Sequence, residues 1–329
     1  MKRALVTGGA GFIGANLCRK LLDAGFSVCV LDNLYTGRKA NLPVGALASG
    51  QLDFIQLDVE NFDSDAWAKA GKCDLVFNLA CPASPVHYQA DPVKTIETSY
   101  RGVISCLEFA RSTGAILLHA STSEIYGDPL VHPQKEYDWG NVNPIGIRSC
   151  YDEGKRIAET LSAEYARKYD LDVRMVRIFN TYGPMMRADD GRVISNFIVQ
   201  ALKGEDLTVY GDGSQTRSFQ FVDDLVRAFM AYVEVPKTEL RSFFAAKKLG
   251  ACVLNIGNPD EFTVLELAEK VIAKTSSKSK IALKPLPGDD PKRRRPDITL
   301  AKELLGYQPK ISLSEGLDET ISYFKNLIA

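Results

Sequence analysis

Along the first half of the chain, short apolar runs alternate with stretches of helical length that are apolar on one side only. The runs Arg3–Thr7, Val28–Leu31, Asp53–Leu57, Leu75–Ala80, Ala115–Ala120 and Val173–Ile178 are mostly apolar, which predicts strands buried on both faces. Between them, the spacing of apolar positions predicts helices near residues 12–24, 92–112 and 151–169. Such alternation implies an α/β fold, a parallel sheet with helices on both faces. Past Asn180 the pattern changes. NTYGP and DDGR are rich in turn residues, a short helix (Ile194–Lys203) leads into LTVYGDGSQTR, and FQFVDD (Phe219–Asp224) reads as a strand rejoining the sheet. From about Asn258 two helical stretches flank the segment PLPGDDPKRRRPD. The expected organisation is a sheet domain from residues 1–179 plus about 218–257, and a smaller C-terminal lobe from about 180–217 plus 258–329.

The first predicted strand runs directly into TGGAGFIG, placing Gly8, Gly11 and Gly14 three apart ahead of an amphipathic helix that opens with Phe12 and Ile13. Glycines at this spacing let the backbone turn sharply and approach a pyrophosphate, while the helix N-terminus faces the phosphates with partial positive charge. Strand, turn and helix in that order make the sheet a Rossmann-type, doubly wound one that binds a dinucleotide. The second strand ends at Asp32, 18 positions past Gly14, where a carboxylate accepts from ribose hydroxyls and repels a 2′-phosphate. NAD is therefore expected over NADP, although Arg38 in YTGRK is placed to accept such a phosphate. Asn33, Thr36 and Gly37 belong to the same cofactor-side turn. Asp58 and Val59 at the third strand end, and Leu79, Ala80 and Cys81 at the fourth, are expected along the cofactor.

Tyr151 and Lys155 stand four apart in SCYDEGKRIAET, on one face of a predicted helix. An ammonium beside a phenol favours the phenolate, as does the positive ring of NAD⁺. Activity near neutrality requires that such charges supply about 4 kcal/mol. Ahead of this helix, AILLHA ends in STSEIYG, with Thr122, Ser123 and Glu124 at the strand tip.

Composition narrows the picture by exclusion. The 329 residues are 45% hydrophobic and 25% charged with a formal net charge of −1, which offers no field for nucleic acid or an anionic membrane. No apolar run reaches membrane-spanning length, and strand formation from Arg3 predicts no leader. Seven cysteines without paired spacing fit reduced thiols and a cytoplasmic location, and three scattered histidines predict no metal site. His119, inside AILLHA, reads as a satisfied core residue.

TGGAGFIG, STS and YDEGK together resemble the extended short-chain dehydrogenase/reductase family, over essentially the whole chain. LACPASPVHYQADPVKTIET, STSEIYGDP, NVNPIGIRSCYDEGKR, RIFNTYGP, LTVYGDGSQTRSF and DDPKRRRPDI are similar, more narrowly, to its UDP-glucuronate decarboxylase (UDP-xylose synthase) branch. The resemblance implies Tyr151 as base, Lys155 as its partner on the nicotinamide ribose, and Thr122 as the hydroxyl bridging Tyr151 to the sugar. It implies Thr98 and Thr181 near the cofactor. A UDP-sugar would be held by Pro85, Tyr88, Asn180, Tyr210 and Arg217, with Arg192 where the lobes join. Arg294 is the expected contact to sugar diphosphate or carboxylate, with Arg293 and Arg295 as neighbouring alternatives. A homodimer through the helices bearing residues 92–112 and 151–169 is implied as well. The chain departs from the pattern at Met185, where an arginine is usual, and at Ser99, where an asparagine is usual. The segment VPKTELRSFFAAKKLGA is longer than the usual connection and is expected to be a surface excursion.

The implied reaction oxidises C4 of UDP-glucuronate, loses carbon dioxide from the resulting β-keto acid and returns the hydride to yield UDP-xylose. Glu124 then has two possible jobs, repelling the substrate carboxylate or, if protonated, donating a proton near C5. Ser123 is a hydrogen-bond donor to the same region. Competing readings are a 4,6-dehydratase, a 4-epimerase, an enzyme releasing the 4-keto-pentose, and a catalytically silent NAD-sensing protein.

Overall fold

The computed structural model describes residues 1–61, 64–285 and 293–328. Six of its strands fall where the apolar runs predict them: β1 (Arg3–Thr7), β2 (Ser27–Asp32), β3 (Leu52–Gln56), β4 (Leu75–Asn78), β5 (Ile116–Thr122) and β6 (Val173–Ile178). A seventh, β7 (Val253–Ile256), completes a parallel sheet of order β7-β6-β5-β4-β1-β2-β3. Alternate residues of each strand enter two separate apolar layers. Val6, Val30, Phe77, Leu118 and Val176 face one, and Leu5, Leu31, Val76, Leu117 and Val173 face the other. Both layers are covered by helices, which is why the strands read as continuous apolar runs.

Strand order reverses at β1, whose neighbours are β2 and β4. A crevice opens at the carboxyl ends of the strands at such a reversal, and ligands of doubly wound sheets bind there.

Two expectations fail. FQFVDD does not rejoin the main sheet: Gln220–Phe221 pairs only with Thr181–Tyr182, and the chain turns helical from Val222 to Glu234. That helix buries Leu225, Val226, Phe229, Tyr232 and Val233 along one stripe, so helical packing outweighs the local strand preference of Phe-Gln-Phe. The sheet edge is taken instead by β7, buried at all four positions. The segment VPKTELRSFFAAKKLGA is not a surface excursion either. It forms the helix Lys237–Ala246, which seats Leu240 and Phe244 in the main core.

The predicted helix near 92–112 is continuous but irregular, with Pro92–Glu97, a π-helical turn Thr98–Gly102 and Val103–Thr113 in succession. Ser99 lies in that turn with its Oγ 3.4 Å from Cys81 Sγ, and π turns often mark the places where a helix accommodates a site. Beyond the main sheet, Thr216–Ser218 lies between Glu261–Thr263 and Arg293–Arg294, with Arg294 opposite Arg217. Leu207–Tyr210 pairs with Ile281–Lys284. These small sheets form the far wall of the crevice.

Candidate active site

The crevice is a continuous cleft of about 600 Å³ running from the β1 glycine turn past the ends of β4, β5 and β6 to Tyr210 and Arg294. At its nucleotide end, Gly8 takes φ +69°, and a Cβ there would lie 2.9 Å from the Leu79–Ala80 peptide. A Cβ on Gly14 would meet the Gly8 carbonyl oxygen at 2.2 Å. Strand and helix therefore approach closely enough to leave a bare-backbone cradle at the helix N-terminus, which fits the pyrophosphate of NAD. Asp32 closes the end of β2. Its two oxygens accept from the backbone N–H of Ala10 (2.9 Å) and of Leu34 (2.8 Å), and burial pushes its carboxyl up from the ordinary value. Each oxygen keeps a second lone pair for a ribose hydroxyl.

Gly11, Phe12, Ile13, Asn33, Thr36, Asp58, Val59, Leu79, Ala80, Cys81, Thr98 and Thr181 all line the cleft. Gly37 and Arg38 do not. Gly37 packs against the Asp32 carboxylate, and the Arg38 N–H donates to the Ala10 carbonyl at 3.0 Å. The Arg38 Nε and Nη2 are buried without a hydrogen-bond partner among the described residues. The arginine that argued for NADP is not among the residues lining the cleft.

Lys94, which the sequence reading passed over, bridges Asp58 (2.6 Å) and Glu60 (2.9 Å), and Thr98 donates to Glu60. Burial opposes ionisation of Asp58, but the Lys94 ammonium wins and holds its carboxyl below the ordinary range. This network braces the adenosine end of the cleft.

Tyr151 and Lys155 enter from the helix Ser149–Tyr169 and are both buried. Tyr151 stacks on Tyr88, with ring centres 5.0 Å apart and planes 4° from parallel, and it lines the cleft together with Thr122 at the tip of β5. Lys155 Nζ donates to the Ala120 carbonyl at 2.9 Å and sits 5.9 Å from the Tyr151 ring centre. The sequence predicts that Lys155 lowers the phenol pKa. Burial instead pushes it well above the ordinary value, with Cys81 and Glu124 adding to the rise and Thr122 opposing it. Burial also lowers Lys155, so desolvation outweighs the pairing on both partners.

Glu124 occupies the turn after β5, held between two guanidinium groups. Arg294 grips it with two parallel contacts, one of them Nη2 to Oε2 at 2.8 Å, and Arg148 Nη2 donates to Oε2 at 2.7 Å. Burial favours the neutral acid, but the two arginines prevail and hold the carboxyl below its ordinary range. Arg148 was not picked out from the sequence. Its only signal was its place three residues before Tyr151 in RSCYDEGK, which carries no distinctive chemistry by itself.

Of the three adjacent arginines, the structure brings Arg294 into the cleft. Arg295 turns outward to Glu261 at 3.6 Å, and the side chain of Arg293 lies outside the described residues. Ser123, Pro85, Tyr88, Asn180, Arg192, Tyr210 and Arg217 also line the cleft. Arg192 is paired with Asp190 at 2.6 Å. Met185 reaches the cleft with φ +74°, and Arg187, two residues on, lines it too, with Nη1 3.5 Å from the Thr36 carbonyl. His119 is only half satisfied, since its Nδ1 meets Asn78 at 3.2 Å while its Nε2 is buried without a partner. Among the described residues no cluster could hold a metal ion and no helix is long and apolar enough to cross a membrane.

Residues 4–243 match the family described as NAD dependent epimerase/dehydratase. The chain is 51% identical over 326 residues to UDP-glucuronic acid decarboxylase 1 of Arabidopsis thaliana, covering 99% of this chain and 70% of that protein. It is 48% identical over 323 residues to the Danio rerio protein of the same name, covering 98% and 72%. Among solved structures, UDP-glucose 4-epimerase of Thermotoga maritima with UDP-glucose superposes with a TM-score of 0.88 at 30% identity, covering 99% of this chain and all of that one. UDP-glucuronic acid 4-epimerase of Bacillus cereus, in complex with UDP-glucuronic acid and NAD, superposes with a TM-score of 0.83 at 29% identity, covering 99% of each chain. With the glycine cradle, the Tyr-x-x-x-Lys pair and these relatives in agreement, the chain belongs to the NAD-dependent epimerase/dehydratase family, within the extended short-chain dehydrogenases/reductases.

Proposed function

We propose that the protein converts UDP-glucuronate to UDP-xylose and carbon dioxide, with NAD retained in the cleft. The observation that carries this reading is Glu124 held ionised between Arg294 and Arg148, beside the Thr122–Tyr151 pair. A 4-epimerase has no use for a fixed negative charge at that point. A 4,6-dehydratase wants an acidic pair after the threonine, and position 123 is serine. Half-identity to curated UDP-glucuronic acid decarboxylases supports the same choice.

Gly8, Gly11 and Gly14 would hold the pyrophosphate, Asp32 the adenosine ribose and Lys155 the nicotinamide ribose. When bound, NAD supplies the acceptor for the C4 hydride and returns that hydride at the end. Tyr151, oriented by Thr122 and by its stack on Tyr88, takes the C4 hydroxyl proton and later gives it back. Arg294 and Arg148 orient the substrate carboxylate, which is β to the C4 ketone and leaves as carbon dioxide with its bonding electrons delocalised into an enolate. Glu124 opposes the carboxylate and not the neutral product, so its charge favours departure. C5 then takes one proton from solvent, which balances the loss of neutral carbon dioxide from the carboxylate. Ser123 at the same strand tip is a hydrogen-bond donor to this region.

Incubation with UDP-glucuronate and catalytic NAD, with analysis of the nucleotide sugar and of released carbon dioxide, tests the proposal. UDP-xylose with one carbon dioxide per turnover is expected. UDP-galacturonate would establish an epimerase, an accumulating UDP-4-keto-pentose an enzyme that releases the intermediate, and absence of turnover a silent NAD-binding protein.

The division into an NAD-binding part (1–179 with about 218–257) and a nucleotide-sugar lobe (about 180–217 with 258–329) is part of this proposal. Its support is that all seven main-sheet strands fall in the first set. The proposal extends to a cytoplasmic homodimer. The seven cysteines are free, suiting a reducing compartment, and Val93, Ile96, Tyr100 and Ile157 expose apolar surface on the two helices expected to pair. Sedimentation should return twice the 36.2 kDa chain mass, and a monomer at micromolar concentration would overturn the dimer.

A further inference from the structure

Arg293, Arg294 and Arg295 follow one another in KRRRP, yet Arg294 is the one whose guanidinium meets Glu124 and lines the cleft. Successive side chains of an extended segment point to opposite sides, so a slip of one residue would turn Arg294 away and bring a neighbouring arginine into its place. Charge does not prevent this, because a carboxylate attracts each of the three guanidinium groups alike. Strand pairing opposes it only weakly, since Arg293–Arg294 makes just two rungs, with Thr216 and Arg217. The register therefore needs a contact that counts residues along the backbone.

Gln134, in the loop between β5 and the helix Ser149–Tyr169, makes that contact. It is fully buried and is not among the residues lining the cleft. Its backbone N–H donates to the Arg295 carbonyl at 2.9 Å, and its side-chain Oε1 accepts from the Arg295 N–H at 2.8 Å. Both main-chain groups of Arg295 thus go to this one residue. The Gln134 carbonyl accepts from the Asp297 N–H at 2.8 Å, while Pro296, opposite Gln134 in the pairing, has no N–H to offer. Gln134 Nε2 donates to the Val131 carbonyl at 2.9 Å, which fixes the amide with its oxygen toward Arg295. Asn255 of β7 ties this hub to the main sheet: its Nδ2 donates to the Gln134 carbonyl at 3.1 Å, and its Oδ1 accepts from the Tyr126 hydroxyl at 2.8 Å. Tyr126 lies two residues past Glu124, so the carboxylate and the arginine segment are referred to one frame.

We propose that Gln134 is a positioning residue for the sugar-carboxylate subsite, pinning the register of the arginine strand so that Arg294, and neither neighbour, faces Glu124 and the substrate carboxylate. The proposal rests on the decarboxylase reading, in which Arg294 orients that carboxylate, and names the residue on which selectivity for carboxylated UDP-sugars depends. Gln134→Met keeps the length of the side chain and removes its acceptor and donor. The Arg295 N–H then loses its partner, and the backbone that carries Arg294 is free to shift.

The test is a calorimetric titration of the NAD-loaded Tyr151→Phe protein, which does not consume its substrate, with UDP-glucuronate and with UDP-xylose. Adding Gln134→Met should weaken UDP-glucuronate about 10- to 100-fold, the loss of one charge-assisted contact, and leave UDP-xylose, which has no carboxylate, within about twofold. In an Arg294→Met background the Gln134 substitution should change neither affinity further, since both residues act through one guanidinium. A merely structural role would weaken both sugars and would add to the Arg294 effect. Unchanged UDP-glucuronate affinity, equal weakening of the two sugars, or additive effects in the double variant would each overturn the proposal. If the methionine variant fails to fold, Gln134→Asn, whose amide is one methylene too short for the Arg295 N–H, carries the same comparison. Any of these failures with carbon dioxide and UDP-xylose still formed sinks the role of Gln134 only, whereas the absence of both in the product assay sinks the decarboxylase reading itself.

Discussion

Tyr151→Phe is expected to lower turnover of UDP-glucuronate at least about 10³-fold, within the range ascribed to a positioned general base. Phenylalanine keeps the ring that stacks on Tyr88 at 5.0 Å and removes only the phenol oxygen. Thermal stability and NAD affinity should therefore stay near wild type, which separates lost chemistry from lost structure. The step affected is the first one. A single-turnover experiment that follows nicotinamide absorbance should show no reduced cofactor, and no keto-sugar should accumulate. Turnover within tenfold of wild type would mean that another group removes the C4 proton. The high resting pKa of the buried phenol makes the result sharper, because water offers no easy substitute at a site so poorly solvated.

The second large effect is expected at Glu124. Glu124→Gln keeps the shape of the side chain and removes the charge that Arg294 and Arg148 hold. A repelling charge destabilises the bound substrate more than the transition state in which the carboxylate is departing. Its loss should lower kcat about 10²-fold and lower KM as well, the signature of removed ground-state strain. The substrate carboxylate then no longer competes with a Glu124 charge for Arg294 and Arg148, which acts in the same direction. Were Glu124 instead the acid at C5, kcat would fall with KM unchanged, and reduced cofactor would accumulate with a decarboxylated enolate behind it. Unchanged turnover would dismiss both jobs. The structure favours the repelling charge, since the arginines overcome burial and keep the carboxyl ionised.

Much of this site is local in origin and so could be read from the chain. The β1 turn is legible because its glycines are required by backbone distances within a few residues and against the end of β4. Tyr151 and Lys155 are legible because four residues is one helical turn. Glu124 stood out only as a carboxylate at a strand tip. Arg148 and Lys94 were missed because an arginine or lysine in a polar stretch looks like any solvated one. They differ only in what faces them, Glu124 for the first and Asp58 with Glu60 for the second, and those partners come from other elements. Arg38 is the opposite case. It had a plausible role by proximity in sequence, yet it does not line the cleft, and its Nε and Nη2 are buried without a hydrogen-bond partner among the described residues.

The sequence by itself determined the parallel sheet, the dinucleotide turn, the tyrosine–lysine pair and the cofactor-side acid, because each rests on periodicity or on spacing within one or two elements. Only the tertiary structure decided the rest. It assigned the sheet edge to Val253–Ile256 and sent Phe219–Asp224 into a turn and helix, since competing apolar segments are sorted by the burial the whole core offers. It chose Arg294 over Arg295 by pairing its short strand with Thr216–Ser218. It also set the opposite directions in which Tyr151 and Glu124 shift, because the titration of a buried group depends on desolvation and on partners that the chain brings together only when folded.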